Sequence, residues 1–142
     1  MQTSEEIKRA VEIEEFTNRA LIHPISARLV PLFHRWDIHP NTVSIAGAVS
    51  GAAAALCYFG YEHLAATIAG FVLMVGWHVM DGADGQLARQ CGKVTPSGYV
   101  IDGICDYTTF IFVYIALALR LGERFGGDIW ILVIAAGASH VM

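Results

Sequence analysis

The sequence predicts an all-α membrane protein, a polytopic bundle of transmembrane helices preceded by an amphipathic juxtamembrane helix. Of the 142 residues, 55% are apolar and only 15% are charged, whereas soluble domains carry about 25% charged residues. Residues 1–40 hold eleven of the 22 charged side chains, so the rest of the chain is strongly apolar. This composition excludes a disordered chain and an ordinary soluble enzyme, and three cysteines without CxxC spacing exclude a disulfide scaffold. A net charge of −4 without a basic cluster predicts no nucleic-acid partner.

Four apolar runs supply the predicted membrane segments. A helix rises 1.5 Å per residue, so about 20 residues cross a hydrocarbon core of about 30 Å. The first three runs approach or exceed this length, whereas the fourth has 14 residues and would reach only about 21 Å. We therefore expect three full spans plus a truncated fourth. The runs extend over residues 41–61, 63–80, 98–119 and 129–142.

The segment before the first span predicts an interfacial helix. Residues 14–36 mix apolar and basic side chains in a way that is typical of an amphipathic helix lying in the headgroup layer. We expect this helix to be broken near Pro24 and Pro31, because proline lacks the backbone N–H that a helix interior needs. Residues 40–42, Pro-Asn-Thr, predict a turn and an N-cap for the first span.

The positions of lysine and arginine predict the topology. If the N-terminus is cytoplasmic, seven of the nine Lys and Arg side chains lie on that side and only Arg120 and Arg124 lie on the other. This distribution agrees with the positive-inside rule. We therefore expect residues 1–40 to form a cytoplasmic arm, residues 41–142 to form a multi-pass transmembrane domain, and the loop near residues 89–97 to be cytoplasmic.

Four carboxylates at the ends of the second and third runs indicate function. An aspartate in mid-membrane costs about 2.5–3.5 kcal/mol, so an acidic side chain retained there is functional by default. Asp81 and Asp84 are spaced i,i+3, and Asp102 and Asp106 are spaced i,i+4, so each pair shares a helix face. Their mutual repulsion would be relieved by protonation or by bound cations. All-oxygen ligands select hard ions such as Mg²⁺ or Mn²⁺.

The neighbouring residues favour a diphosphate ligand. Arg89 supplies a guanidinium that can bind phosphoryl oxygens beside a metal pair, and Gly85 and Ala88 leave space next to the helix backbone. The alternative is that the aspartates form buried ion pairs with Arg89 and Lys93, but four acids against two bases leave an excess of negative charge. We expect His78, a lone histidine on an apolar helix, to be packed and not to be a ligand.

Written with its spacing, the segment over residues 81–106 is D-x2-D-G-x2-A-R-x8-G-x3-D-x3-D. It resembles the signature of the CDP-alcohol phosphatidyltransferase family at all eight fixed positions, and the likeness covers roughly residues 14–120. The resemblance implies a six-helix fold, so this chain would be the N-terminal portion of a member, with an incomplete C-terminal part. It also implies phospholipid biosynthesis, in which a phosphatidyl group moves from CDP-diacylglycerol to a hydroxyl acceptor and CMP is released. A homodimer is expected from the same resemblance.

The family resemblance also assigns roles to individual residues. The metal ligands for two Mg²⁺ or Mn²⁺ ions would be Asp81, Asp84, Asp102 and Asp106, and Asp106 would also be the general base that deprotonates the acceptor. Gly98 lies one turn before Asp102 on the same face, leaves space there and is expected at a helix-packing position. The implied donor-binding positions are Gly85, Ala88, Arg89 and Thr95, together with Asn41, Thr42, Val43 and Ser44 on the cytidine side.

Three other functions remain compatible with parts of this pattern. The related amino-alcohol phosphotransferases share the motif but use CDP-choline or CDP-ethanolamine with diacylglycerol as the acceptor. Prenyl transferases also bind diphosphate with aspartates on helices, although the glycines and the Ala-Arg pair argue against them. The chain could also be a truncated, non-catalytic membrane module. The acceptor stays open among polyols, polyol phosphates and serine.

Overall fold

The computed structural model describes residues 18–60, 63–126 and 129–141, all of it helix, short loops and turns. A π-helical turn over Asn18–Ile22 continues into α1, His23–Arg35. The helices that follow are α2, Pro40–Gly60; α3, Leu64–Gln90; α4, Pro96–Phe125; and α5, Ile129–Val141. Residues 1–17, the first part of the arm predicted over residues 1–40, lie outside the described residues.

Helices α2, α3 and α4 are long and apolar enough to cross a membrane, and this confirms the predicted fold class. Large apolar side chains on these helices point outward: Val49, Leu56, Phe71 and Ile111 are each more than half exposed. A soluble protein rarely exposes such a large apolar surface, but lipid covers it in a membrane.

Two of the helices are longer than their apolar runs. Helices α3 and α4 contain 27 and 30 residues, equivalent to about 40 and 45 Å of helix against a hydrocarbon core of about 30 Å. The second span therefore does not end at residue 80, and the helix carries the signature onward as far as Gln90. The connection that was expected over residues 89–97 is only the five residues 91–95.

The start of α2 differs from the prediction. Pro40 is the first helical residue, so residues 40–42 lie inside the first turn and are not a cap. His39 precedes the helix, and its Nδ1 accepts a hydrogen bond of 3.3 Å from the backbone N–H of Asn41. The physical reason is that proline is well suited to the first position of a helix, where its missing N–H would have no partner.

Pro31 does not break α1, contrary to the prediction. The helix continues through it to Arg35, and Pro24 lies in the first turn, where proline is tolerated. Pro31 is exposed, whereas Ser26 and Val30 are buried against α3. The missing hydrogen bond therefore falls on the outer face of the helix, and the packed face is undisturbed.

Helix α2 packs against both α3 and α4 at positions that lack side chains. A Cβ added at Gly47 would lie 3.3 Å from Met80 Cβ on α3. A Cβ added at Gly51 would lie 2.3 Å from Thr109 Cγ2 on α4, closer than two such atoms can approach. The small-xxx-small pair in the first span therefore allows two close helix crossings, one with each neighbouring helix.

We expect Gly51→Ala to destabilise the bundle by about 1–3 kcal/mol, because the added methyl group overpacks the α2–α4 contact. Thermal unfolding in detergent would measure the loss. Thr109→Ala introduced with it should recover part of the stability, because it removes Thr109 Cγ2 and Oγ1 and leaves only the Cβ, at 3.1 Å. Gly103→Ala is the matched control, because a Cβ at Gly103 meets nothing within 4 Å. Equal stability of the Gly51→Ala and Gly103→Ala variants would contradict this packing.

Helix α1 packs along the C-terminal half of α3. Ser26 donates a hydrogen bond of 2.8 Å from its Oγ to the carbonyl of Val79, and His34 Nδ1 lies 3.3 Å from Cys91 Sγ. The two helices thus run in the same direction over this stretch. Between these contacts lies the buried cluster that joins α1, α2 and α3, made of Val30, Val43, Ala83 and Leu87.

Candidate active site

The four signature aspartates lie on facing segments of α3 and α4. Because the connection between these helices is short, they run in opposite directions and bring Asp81 and Asp84 opposite Asp102 and Asp106. Oxygens of three of the carboxylates, those of Asp81, Asp102 and Asp106, lie within 4.8 Å of one another. All four aspartates line one narrow cavity.

The cavity exists because α3 and α4 stand apart. In the described part of the chain these two helices make almost no close backbone contact, whereas α2 packs extensively against both. Helix α2 therefore acts as a spacer, and the aspartate side chains reach across the gap that it leaves. The remaining wall comes from Ser44, Gly47, Trp77 and Cys105.

Asp84 differs from the other three carboxylates. It is 4% exposed, and its Oδ2 accepts a hydrogen bond from the hydroxyl of Ser44 on α2. This contact fixes the orientation of the Asp84 carboxylate and ties the motif to the first turns of α2. Ser44 was predicted as a donor contact, and in the structure it contacts a predicted metal ligand directly.

Lysine and arginine side chains do not neutralise this charge in the described part of the chain. Within the described ranges, no Lys or Arg nitrogen lies within 4.0 Å of an oxygen of the four aspartates, and Lys93 instead lies 3.8 Å from the exposed carboxylate of Asp37. The alternative of ion pairs with Arg89 and Lys93 is therefore not supported. His78 packs edge-on against Trp77, with ring centroids 5.2 Å apart.

The donor set fits a divalent cation. All of its converging atoms are carboxylate oxygens, which hard cations prefer, and each Mg–O contact spans about 2.1 Å. Two Mg–O contacts together reach about 4.2 Å, so oxygens that lie within 4.8 Å of one another are at about the separation that shared ions require. Uncompensated negative charge in a small cavity is an arrangement that a bound cation stabilises.

A larger, open cleft adjoins the aspartate cavity, and Ser44, Asp84 and Asp102 line both. The structure places most of the predicted donor positions in this cleft. Those lining it are Asn41, Ser44, Gly85, Ala88, Arg89 and Thr95, and Gly98 lies in the same wall.

Two predicted donor positions lie elsewhere. Val43 is 2% exposed and packs in the buried cluster with α1, and Thr42 is exposed outside the cleft. The reason is helical geometry. Since α2 already begins at Pro40, Asn41 and Ser44 share the face that lines the cleft, and Thr42 and Val43 turn away by about 100° and 200° from Asn41.

The rim of the cleft is held together at the start of α4. Thr95 caps this helix, and its Oγ1 accepts a hydrogen bond of 3.0 Å from the backbone N–H of Gly98. A Cβ at Gly98 would lie 3.2 Å from that Thr95 oxygen and 3.7 Å from Asn41 Oδ1. The absent side chain thus lets the loop approach the N-terminus of α2. Gly98, which was expected at a helix-packing position, thus allows a close approach at the rim of the cleft, next to Thr95 and Asn41.

Sequence reasoning missed several cleft residues. Pro40, Val94 and Tyr99 also line it, as does Lys93, which the sequence offered as an alternative ion-pair partner of the aspartates. Tyr99 is 70% exposed and directly follows Gly98. Its position in the sequence, directly after a signature glycine, is the one feature from which Tyr99 could have been predicted to line the cleft.

The fold and the site define a helical membrane protein with a carboxylate-lined pocket suited to divalent cations. The family model described as CDP-alcohol phosphatidyltransferase matches residues 37–142. The chain belongs to this family, which transfers groups from CDP-alcohols in phospholipid synthesis and uses divalent metal ions. No curated protein and no solved structure compared with the chain gives a significant match.

Proposed function

We propose that this protein transfers a phosphatidyl group from CDP-diacylglycerol to a hydroxyl acceptor and releases CMP. The observation that supports this most directly is the convergence of the Asp81, Asp102 and Asp106 carboxylates beside a cleft lined by Arg89. The acceptor class is a polyol, a polyol phosphate or serine.

The aspartates would hold two Mg²⁺ or Mn²⁺ ions, with Asp81, Asp102 and Asp106 as converging ligands and Asp84 beside them. When bound, the ions supply Lewis-acid neutralisation of the negative charge on the diphosphate. The hydrogen bond from the Ser44 hydroxyl fixes the orientation of the Asp84 carboxylate beside these three ligands.

The cleft would orient the donor. Arg89 folds back over Gly85, since its Nη1 lies 3.4 Å from where a Cβ at Gly85 would be. A guanidinium in this place can bind a phosphate with two parallel hydrogen bonds. Thr95 and Asn41 line the outer part of the cleft, where polar contacts to the nucleotide are expected.

Asp106 would act as the general base. It accepts the proton of the acceptor hydroxyl as the acceptor oxygen bonds to the lipid-side phosphorus of the donor. The bond from that phosphorus to the bridging oxygen breaks, and CMP leaves with the electron pair. Arg89 offsets charge on the departing phosphate.

The location and assembly are proposed on the same basis. The signature end of α3 continues ten residues past its apolar run, from residue 81 to residue 90, and would place the cleft at the membrane surface. This location suits a donor with acyl chains in lipid and a nucleotide in water. The charge distribution supports a cytoplasmic N-terminus and a cytoplasmic active site. A homodimer is supported by the family resemblance.

Radiolabelled CDP-diacylglycerol and CDP-choline, offered separately to the protein in lipid nanodiscs, test this function. We expect CMP release from CDP-diacylglycerol in the presence of Mg²⁺ or Mn²⁺ and an acceptor such as glycerol phosphate, inositol phosphate or serine. EDTA should abolish it. Release from CDP-choline with diacylglycerol alone would assign the amino-alcohol donor class instead. No release from either donor would favour a non-catalytic module.

A further inference from the structure

The side of α3 opposite the carboxylates is packed against α1. Successive helical residues are rotated by about 100°, so Gly82 and Ala83 point away from the face that carries Asp81 and Asp84. Ala83 has no exposed surface and packs in the cluster with Val30 of α1. The interfacial helix therefore supports the same turn of α3 that presents two of the aspartates.

The contact at this turn is close and specific. Ser26 is fully buried, and its Oγ donates a hydrogen bond of 2.8 Å to the carbonyl of Val79, two residues before Asp81. A Cβ at Gly82 would lie 2.9 Å from the same Ser26 oxygen and 3.4 Å from Ile22 Cγ2. The hydrogen bond from Ser26 to Val79 therefore requires a glycine at position 82, because a Cβ there would displace the Ser26 hydroxyl.

We propose that Ser26 and Gly82 are positioning residues that set the place of Asp81 and Asp84 relative to the aspartates on α4. This inference rests on the proposed function, because it concerns how the metal-binding carboxylates are held. The backbones of α3 and α4 hardly approach each other in the described residues, and these helices meet through side chains, as where Trp77 packs edge-on against Phe110 with ring centroids 5.1 Å apart. What packs behind each helix therefore also helps to set the distance across the cavity. On the face of α3 opposite Asp81 and Asp84, the helix that packs against it is α1.

Gly82→Ala tests the proposal. The added methyl group must displace the Ser26 hydroxyl and break its hydrogen bond, which shifts the turn that carries Asp81. Changes to groups that orient metal ligands weaken metal affinity by about 10–100-fold, and we expect about tenfold weaker Mn²⁺ binding by electron paramagnetic resonance. The change in tryptophan fluorescence on Mn²⁺ addition, to which Trp77 in the wall of the aspartate cavity contributes, gives a second readout.

A double variant and a matched control separate positioning from general damage. In Ser26→Ala/Gly82→Ala the nearest serine atom that remains is Cβ, at 3.7 Å, an ordinary contact. Mn²⁺ affinity should therefore return to that of Ser26→Ala alone, which we expect to be about threefold weaker than wild type, a smaller loss than the roughly tenfold or more seen when a group that orients a ligand directly is removed. Gly103→Ala, also next to a signature aspartate but facing open space, should bind Mn²⁺ like wild type. If Gly82→Ala does not fold, Ser26→Ala carries the test, because it removes the hydrogen bond to Val79. About threefold weaker Mn²⁺ binding than wild type supports the contact, and wild-type affinity overturns it.

The possible outcomes are distinct. Weak Mn²⁺ binding by Gly82→Ala, recovery in the double variant and no effect at Gly103 would establish the positioning contact. Equal Mn²⁺ affinity of Gly82→Ala, Gly103→Ala and wild type would overturn it and leave the proposed function intact. A lowered unfolding temperature without a change in affinity would also overturn it. Absence of Mn²⁺ binding by the wild-type protein would overturn the proposed function together with this inference.

Discussion

Asp106→Asn is expected to abolish transfer while donor binding remains measurable. An amide has nearly the same shape as a carboxylate and keeps one oxygen for a cation, but it cannot accept the acceptor's proton. Loss of a positioned general base lowers the rate by about 10²–10⁴-fold. The rate of CMP release measures the loss, and calorimetric titration with CDP-diacylglycerol measures what binding is left.

The control for this variant is Glu123→Gln, which makes the same acid-to-amide change near the other end of α4. Glu123 is exposed and lies outside both cavities, so its variant should release CMP at the wild-type rate. Turnover by Asp106→Asn at the wild-type rate would remove the assignment of Asp106 as the base. The metal cluster could still be correct in that case.

The spacing of the signature was sufficient to predict which carboxylates face each other. Asp102 and Asp106 share a face because they are four residues apart, and a short connection brings that face opposite Asp81. The length of the apolar runs likewise predicted three spans, and the structure confirms them. These features follow from local periodicity and from the thickness of a bilayer, and both can be read from one chain.

Features that depend on packing between helices could not be predicted in the same way. Nothing local to Gly51 indicates that its partner is Thr109, 58 positions along the chain. The gap between α3 and α4 likewise depends on α2 lying against both. The helix ends were also misplaced, because α3 continues through polar signature residues that end its apolar run.

The juxtamembrane helix illustrates the same limit. Its amphipathic composition predicted contact with headgroups, but the buried positions Ser26 and Val30 face α3. Composition alone cannot distinguish a lipid surface from a groove on a neighbouring helix, because both accept an apolar stripe. Only the tertiary contact with Val79 and Gly82 shows which surface this face covers.

Asp81→Asn and Asp102→Asn are expected to be more stable than wild type without divalent cations and less stable than wild type with them. Without cations, either substitution removes one of several carboxylates that repel one another in a small cavity, and we expect a gain of about 1–2 kcal/mol. With cations, wild type should gain about 2.7 kcal/mol when Mn²⁺ is at a hundredfold excess over its Kd. The variants should gain almost nothing, since one converging ligand is missing. Both should fail to release CMP.

Thermal unfolding in detergent, with EDTA and then with Mn²⁺, measures whether the variants are more stable than wild type without cations and less stable with them. Glu123→Gln again serves as the control, because removing an exposed charge near the other end of α4 should leave the response to Mn²⁺ unchanged. Full stabilisation of Asp81→Asn by Mn²⁺ would show that cations bind elsewhere. Destabilisation of the cation-free variants would instead mean that these carboxylates make favourable contacts within the bundle. The prediction requires that the four carboxylates destabilise the bundle by mutual repulsion without cations and stabilise it when cations are bound. Such a loss of stability in the cation-free protein is expected when a metal-dependent site is built among apolar helices.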